Sequence, residues 1–389
     1  RPIKGQMDST VFLNIDDGRL ALILSRVRDA CLDPPKSLSA AMSETWPGSH
    51  GKLALNLAFS PFDDDSIKRL IALGASNSMG SHWLLAILAG KIPALAANVL
   101  MSSWAARTAV KIKPSAADHG FVQAMVQITK DTAPELQNAI KILNFDSKSP
   151  ELAHEIQTAP LALVYGSDAT TSMVQKARKG RPTTIGAHRE SGVLLSEQTL
   201  NNDLLAAISH DICIYDQSGC LSPQFILTDL DATAFAKALY EALLTHPLPS
   251  QKPTMEQAVA IRLLAQETRF SGFSCFPAKG PIPPMVVTAS VYKPGPGRRV
   301  IQVIPFEGLP DLRLLLPTLE NRLQGLAFAG PPDTLQAIFA KNPAYIAPYI
   351  CKPGQLQNPP AGWPENGQAL VKSIKMMLQE FSTVQPTQP

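Results

Sequence analysis

The chain has 389 residues, 45% of them hydrophobic and 17% charged, with a net charge of +3. It is long enough for two or three domains with cores of their own, and with no basic run nothing points to nucleic acid as a partner. The five cysteines, Cys31, Cys213, Cys220, Cys275 and Cys351, are odd in number and lack metal-ligand spacing, which argues against a disulfide framework and a metal site and fits a reducing compartment.

The chain begins Arg1-Pro-Ile-Lys4, with neither methionine nor an apolar signal segment, so a cytoplasmic protein lacking its true N-terminus is expected. Residues 84–101 form the longest apolar stretch. Gly90, Lys91 and Pro93 interrupt it, so it reads as a buried helix followed by a second short one and not as a membrane span. Residues 70–74 read as an apolar strand entering a turn over 75–80, residues 83–88 as helix, and residues 108–113 as an alternating strand. Helices are expected over 121–128 and 133–143, and a continuous apolar strand over 161–165. That strand runs into Gly166-Ser-Asp168 and a helix over 169–179, with Ser167 or Asp168 as its cap and Gly180 as its left-handed close. Alternation of this kind implies a doubly wound α/β fold.

Beyond about residue 187 the strands shorten and proline becomes frequent, with a helix over 254–266. Residues 212–215 read as a buried strand ending in Asp216-Gln-Ser-Gly-Cys220-Leu-Ser-Pro-Gln224. Gly219 permits a bend beside the sulfur, and Pro223 prevents continuation as strand or helix. A thiol on such a turn is reachable by a substrate, with amide N–H groups nearby for an oxyanion. A small buried hydrophobe is the competing reading of any free cysteine.

Two other places suit a nucleotide. Gly166 and Ser167 stand where a strand meets a helix N-terminus, a place that attracts pyrophosphate. Lys113 and Ser115, closing the earlier strand, have the donors for ribose hydroxyls or a ribose phosphate. A capped helix and a solvated strand end remain the plainer readings of each.

Taken in order, Lys113-Pro-Ser115, Gly166-Ser167, the turn cysteine, Val303-Ile-Pro-Phe306 and Gly325-Leu-Ala327 resemble the aldehyde dehydrogenase superfamily. Tyr165-Gly-Ser-Asp-Ala-Thr170 and the Cys-Leu-Ser-Pro-Gln run look most like its acyl-CoA reductases, relatives of the reductase subunit of the bacterial luminescence fatty acid reductase complex. The resemblance spans roughly residues 65–365. It implies an aldehyde dehydrogenase-like fold. Residues 1–187 would be a doubly wound nicotinamide-binding domain and 188–363 a second α/β domain carrying the cysteine. Residues 364–389 would form a helix and tail packing back on the first.

The activity implied is NADPH-dependent reduction of a fatty acyl-CoA, or of an acyl carrier, to the aldehyde. Cys220 would be the nucleophile, Asn77 an oxyanion donor, and Lys113, Ser115, Gly166 and Ser167 the cofactor contacts. An acyl-activating or acyl-transferring partner protein and a homo-oligomer are also expected. Gly186 stands near the place of the glutamate that activates water in hydrolytic relatives, so the acyl-enzyme should resist water and a glutamate there should restore hydrolysis. Glu190 is the only carboxylate near that place, and His188 is the expected proton-transfer group, with His210 as the alternative. Ala116, where NAD-preferring relatives carry a glutamate, favours NADPH while leaving NADH open. Oxidation of free aldehydes and a non-catalytic subunit role are the alternatives.

Overall fold

The computed structural model describes residues 9–74, 82–90, 92–186, 188–280, 282–365 and 367–384, less the side chains of 383 and 384. These fall into two compact units, Arg1–His188 with Pro360–Pro389, and Arg189–Pro359.

The first unit opens with four helices, α1 (Asp17–Leu32), α2 (Lys36–Thr45), α3 (Ser49–Phe59) and α4 (Asp64–Gly74). Strands and helices then alternate: β1 (Trp83–Ile87), α5 (Pro93–Ala105), β2 (Ala109–Lys113), α6 (His119–Thr132), β3 (Ile140–Ile142), α7 (Pro150–Thr158), β4 (Leu161–Tyr165), α8 (Asp168–Arg178) and β5 (Thr183–Gly186). The five strands are parallel in the order β3-β2-β1-β4-β5. The chain winds outward from β1 to β3 and then crosses to the other side, so its direction reverses between β1 and β4. Nucleotides bind at the carboxyl end of such a switch point. Leu85, Ala162 and Val164 pack against Leu152, Ile156 and Val174 of α7 and α8 on one face. On the other, α5 and α6 lie against β2 and β3, and a last helix, α14 (Leu370–Val384), against β4 and β5.

The second unit runs β6 (Glu190–Leu195), α9 (Asn202–Cys213), β7 (Pro223–Thr228), α10 (Ala232–Leu244), α11 (Met255–Phe270), β8 (Cys275–Phe276), β9 (Met285–Thr288), β10 (Val300–Pro305), α12 (Leu312–Leu315), β11 (Leu323–Ala329), α13 (Pro332–Lys341) and β12 (Tyr349–Cys351). Its sheet order is β12-β11-β6-β7-β10-β9-β8, parallel except for the short edge strand β8. Val193, Ile226 and Val303 face α9 and α10, while Leu194, Leu227 and Ile304 face the α12–α13 side. Both faces are therefore covered, and the strands read as unbroken apolar runs for that reason.

Four expected elements differ. Residues 70–74 are the end of α4, whose buried Ile67, Leu70, Ile71 and Gly74 repeat at helical spacing that a five-residue window hides. Residues 83–88 hold β1, the central strand, so the apolar stretch 84–101 is a strand followed by α5 and not two helices. Residues 133–143 contain a 3-10 turn at Pro134–Leu136 and then β3, because Pro134 lets a new turn begin but cannot extend α6. Residues 212–215 are the last turn of α9 and the bend after it; Leu205, Ile208 and Ile212 give one buried helical face.

Candidate active site

Helix α9 starts where Asn201 Oδ1 accepts the Leu204 N–H at 2.9 Å. Past Cys213 the backbone closes a tight bend, with Gln217 N donating to Ile212 O at 3.2 Å and Ser218 N to Tyr215 O at 2.8 Å. The reversal is made at Asp216 (φ 48°) and Gln217 (φ 57°), not at Gly219. Left-handed backbone costs about 1–2 kcal/mol per non-glycine residue, so side chains must hold it. The Asp216 carboxylate accepts from Arg299 Nε at 2.6 Å and from the Gln251 N–H at 2.6 Å. The Gln217 amide donates to Pro223 O at 2.8 Å and Val300 O at 2.9 Å, and accepts the Val300 N–H at 2.7 Å. Pro223 opens β7 instead of ending a strand, since a first strand position tolerates a residue without an N–H.

Cys220 thus stands at the amino-terminal edge of the second sheet, between α9 and β7. Ser191 Oγ, at the start of β6, donates to the Cys220 carbonyl at 2.7 Å, and the Gly219 N–H reaches Ser222 Oγ at 3.3 Å. Gly325 of β11 makes room for the loop. A Cβ there would lie 2.8 Å from Leu221 Cδ2 and 3.0 Å from Ser191 Oγ. Among the described residues Cys220 is the one exposed cysteine. Burial pushes the thiols of Cys31, Cys213 and Cys351 up to about 12, and raises that of Cys275. Those four suit packing; Cys220 suits attack on a substrate.

In the first unit, Lys113, Ser115, Gly166 and Ser167 gather on one edge, the carboxyl ends of β2 and β4 that flank β1. The Leu88 N–H donates to Lys113 O at 2.9 Å and the Ala89 N–H to Tyr165 O at 3.0 Å, so the chain leaving β1 ties both strand ends together. The Ser115 hydroxyl donates to Gly90 O and accepts the Asp118 N–H, a bracing role. Ser167 caps α8 by accepting the Thr170 N–H at 3.3 Å. Gly166 keeps the approach to that helix end low, since a Cβ would lie 3.2 Å from Thr170. Lys113 Nζ donates to Pro114 O at 3.0 Å, which leaves two N–H donors on the ammonium. Lys111, by contrast, is held by both oxygens of Glu155 at 2.8 and 3.0 Å and lies 3.8 Å over the Trp83 ring. A low glycine turn, a capped helix N-terminus and one half-buried ammonium fit the phosphates and ribose of a dinucleotide.

His188 is exposed at the close of the first unit. Asn77 lies outside the described residues. Gly186 pairs with Tyr165 across β4 and β5, and a Cβ on it would stand 2.1 Å from Tyr165 Cδ1. A glutamate at 186 would therefore require the tyrosine ring, whose hydroxyl donates to Glu365, to move. Glu190 is buried and accepts from the Tyr292 hydroxyl, whose pKa is pushed up by burial and by that carboxylate. Half-buried His210 stands 6.1 Å, ring to ring, from His246, and burial lowers its pKa.

An acyl-CoA reductase (LuxC) family model matches residues 72–376, most of the chain. The chain belongs to that family. A long-chain acyl-protein thioester reductase of Vibrio harveyi is 25% identical over 194 residues, 48% of this chain and 41% of that protein. The chain therefore aligns with less than half the length of this relative. Its fold is that of aldehyde dehydrogenases. A salicylaldehyde dehydrogenase from Pseudomonas putida G7 superposes with a TM-score of 0.71 at 14% identity, over 94% of this chain and 85% of that one. A succinic semialdehyde dehydrogenase from Streptococcus pyogenes, in complex with NADP+, gives 0.70 at 11%, over 90% and 84%. A putative aldehyde dehydrogenase from Anabaena variabilis gives 0.69 at 17%, over 95% and 88%.

In this reductase-family chain the sequence motifs include Asp216, Gln217 and Tyr165 without showing their supporting roles, and leave out Arg299 and Glu365, which hold them. Their partners lie up to 200 residues away, so only the fold brings them together. Two buried carboxyls, Asp118 and Asp211, are pushed up by burial to about 7. For Asp211 the N–H groups of Gly354 and Leu356 oppose that rise, so Asp118 is the cleaner probe. A folded pKa above the unfolded one favours folding in acid, and the benefit is lost as pH rises toward 7. A three-unit gap is worth up to about 4 kcal/mol. Asp118→Asn should accordingly gain stability relative to the native chain between pH 4 and 8 in urea unfolding. A difference constant with pH would show that Asp118 ionises normally.

Proposed function

We propose that the protein reduces a long-chain fatty acyl thioester to the fatty aldehyde through an acyl group carried on Cys220, with acyl-CoA as donor and NADPH as reductant. The observation that carries this reading is an exposed cysteine on a braced loop, in a chain whose other four cysteines are buried or half-buried with raised pKa values. Family membership supports it, as does the thioester reductase named among its relatives.

Cys220 Sγ, as thiolate, adds to the thioester carbonyl. The new C–S bond forms as the coenzyme A thiolate leaves and takes a proton. Ser191, bonded to the Cys220 carbonyl, keeps the loop from following the sulfur. Lys113, Gly166 and the N-terminus of α8 would hold the dinucleotide, and NADPH when bound supplies a hydride. The thioester carbonyl on Cys220 would be the acceptor of that hydride, and collapse of the resulting thiohemiacetal would free the aldehyde and return the Cys220 thiolate. We assign to His188, an exposed imidazole, the proton that the thiohemiacetal oxygen takes up and returns on collapse.

Exposed Ala116, just past Lys113, leaves room for a 2′-phosphate. Ala116→Glu should shift the kcat/KM preference toward NADH by about tenfold through like-charge repulsion. A native enzyme using both cofactors equally, unmoved by the substitution, would sink the NADPH assignment.

The central test is the intact mass of the protein after mixing with palmitoyl-CoA, or with an acylated carrier protein, in the absence of NADPH. A palmitoyl adduct mapped to Cys220 is expected from the first donor. An adduct from the carrier alone would make an acyl-protein the substrate, and none from either would remove the reading.

A further inference from the structure

We propose that Asp216, locked by Arg299, is a positioning residue that presents Cys220 for reaction; the inference rests on Cys220 being the nucleophile. Two left-handed corners face each other here. Asp216 and Gln217 form one, Arg298 (φ 60°) and Arg299 (φ 59°) the other, and the Arg298 N–H donates to the Asp216 carbonyl at 3.2 Å. Four consecutive-pair residues that are not glycine hold a conformation glycine would adopt readily, so surrounding bonds must impose it.

Those bonds leave the Asp216 and Gln217 side chains no slack. Asp216 Oδ1 takes Arg299 Nε at 2.6 Å; Oδ2 takes the Gln251 N–H at 2.6 Å and lies 3.9 Å from Arg298 Nη1. The Asp216 and Arg299 side chains are 0% and 3% exposed, so the pair is sealed from water. Arg299 is pinned in turn by Leu248 O and Pro249 O, both at 2.9 Å. Gln217 acts as a staple where β7 and β10 begin, bonding Pro223 O and both backbone groups of Val300. Only Ser218 and Gly219 separate this clamp from Cys220. On the downstream side Ser191 holds the Cys220 carbonyl, and Gln357 Nε2 reaches Ser222 Oγ at 3.4 Å. Exposed Cys220 thus stands at the apex of a loop fixed at both feet, and the upstream foot is the Asp216–Arg299 pair.

A clamp that merely stabilised the second unit would change unfolding and leave the folded protein's thiol chemistry alone. Positioning predicts a change in that chemistry. Asp216→Asn keeps the shape but turns an N–H2 group toward donors and leaves the Arg299 charge unmatched. The test uses the full chain, with folding checked by circular dichroism and unfolding midpoint. It measures the rate of Cys220 alkylation by iodoacetamide against pH, and kcat and KM with palmitoyl-CoA and NADPH. In folded Asp216→Asn we expect alkylation and kcat both to fall about tenfold or more while KM moves less than about twofold, the signature of a displaced reacting atom. Arg299→Lys, which keeps the charge pair, should stay within about threefold of native, whereas Arg299→Gln should resemble Asp216→Asn. A folded Asp216→Asn with the native alkylation profile and kcat overturns the proposal. If that variant does not fold, equal alkylation by Arg299→Lys, Arg299→Gln and native protein overturns it instead. Slow alkylation in the variants, with no acyl adduct on the native chain from any thioester, would keep Asp216 as the residue presenting Cys220 and sink the acyl-transfer reading.

Discussion

Cys220→Ala should remove both covalent acylation and aldehyde formation, a loss of at least about 10⁴-fold, as expected when a nucleophile that acts as part of a unit is deleted. Because Cys220 is exposed, the substitution leaves no cavity and should hardly move the unfolding midpoint. Cys213→Ala makes the opposite pair of changes. Its thiol is sealed in the core that α9 and α10 share with the sheet and is pushed up to about 12 by burial. Truncating it should cost about 1–2 kcal/mol through a small cavity and leave acylation intact. Peptide mapping of the acylated native protein, with both variants as controls, checks both halves. An acyl group found on the Cys220→Ala chain would show that another residue is the acceptor.

The parts legible in the sequence are those where one short window holds the whole cause. The run of residues 161–165 is buried on both faces, and Ser167 caps the helix that follows, so strand, turn and helix can be read in a dozen residues. Residues 70–74 and 212–215 read as strands because four or five apolar residues fit a buried strand as well as the inner face of a helix. Only the upstream repeat, Ile67 to Leu70 and Leu205 to Ile208 to Ile212, separates the two. The turn at Cys220 is legible through its small residues and proline, but the sequence points to Gly219 for a bend that Asp216 and Gln217 carry. A glycine is the usual sign of left-handed backbone, and here an ion pair to a residue 83 positions away replaces that sign. The clash awaiting any side chain at Gly186 was likewise hidden, because it depends on the register that sets Gly186 beside Tyr165.

The acyl-enzyme should hydrolyse slowly, and this outcome best separates a reductase from an oxidising dehydrogenase. Loss of a positioned base typically costs ~10²–10⁴-fold in rate. Gly186, near the place of that base, carries no side chain, and the nearby Glu190 is buried against the Tyr292 hydroxyl. With palmitoyl-CoA alone, Cys220 should load once and stall, releasing about one equivalent of coenzyme A and little free fatty acid. Added NADPH should then discharge the adduct as aldehyde within a turnover. Gly186→Glu, the obvious way to build the base back, should not convert the enzyme to a thioesterase. Its Cβ would meet the Tyr165 ring at 2.1 Å, so the strand pair must shift or the ring must leave Glu365. Overpacking of this kind costs about 1–3 kcal/mol, so a lower unfolding midpoint without faster acid release is expected. Tyr165→Ala in the same chain should recover much of that stability by making room. Only the double variant then tests whether a carboxylate at 186 reaches the acyl group. Steady fatty acid release by the native protein without cofactor would show that water is already activated in this site, and would count against the reductase reading.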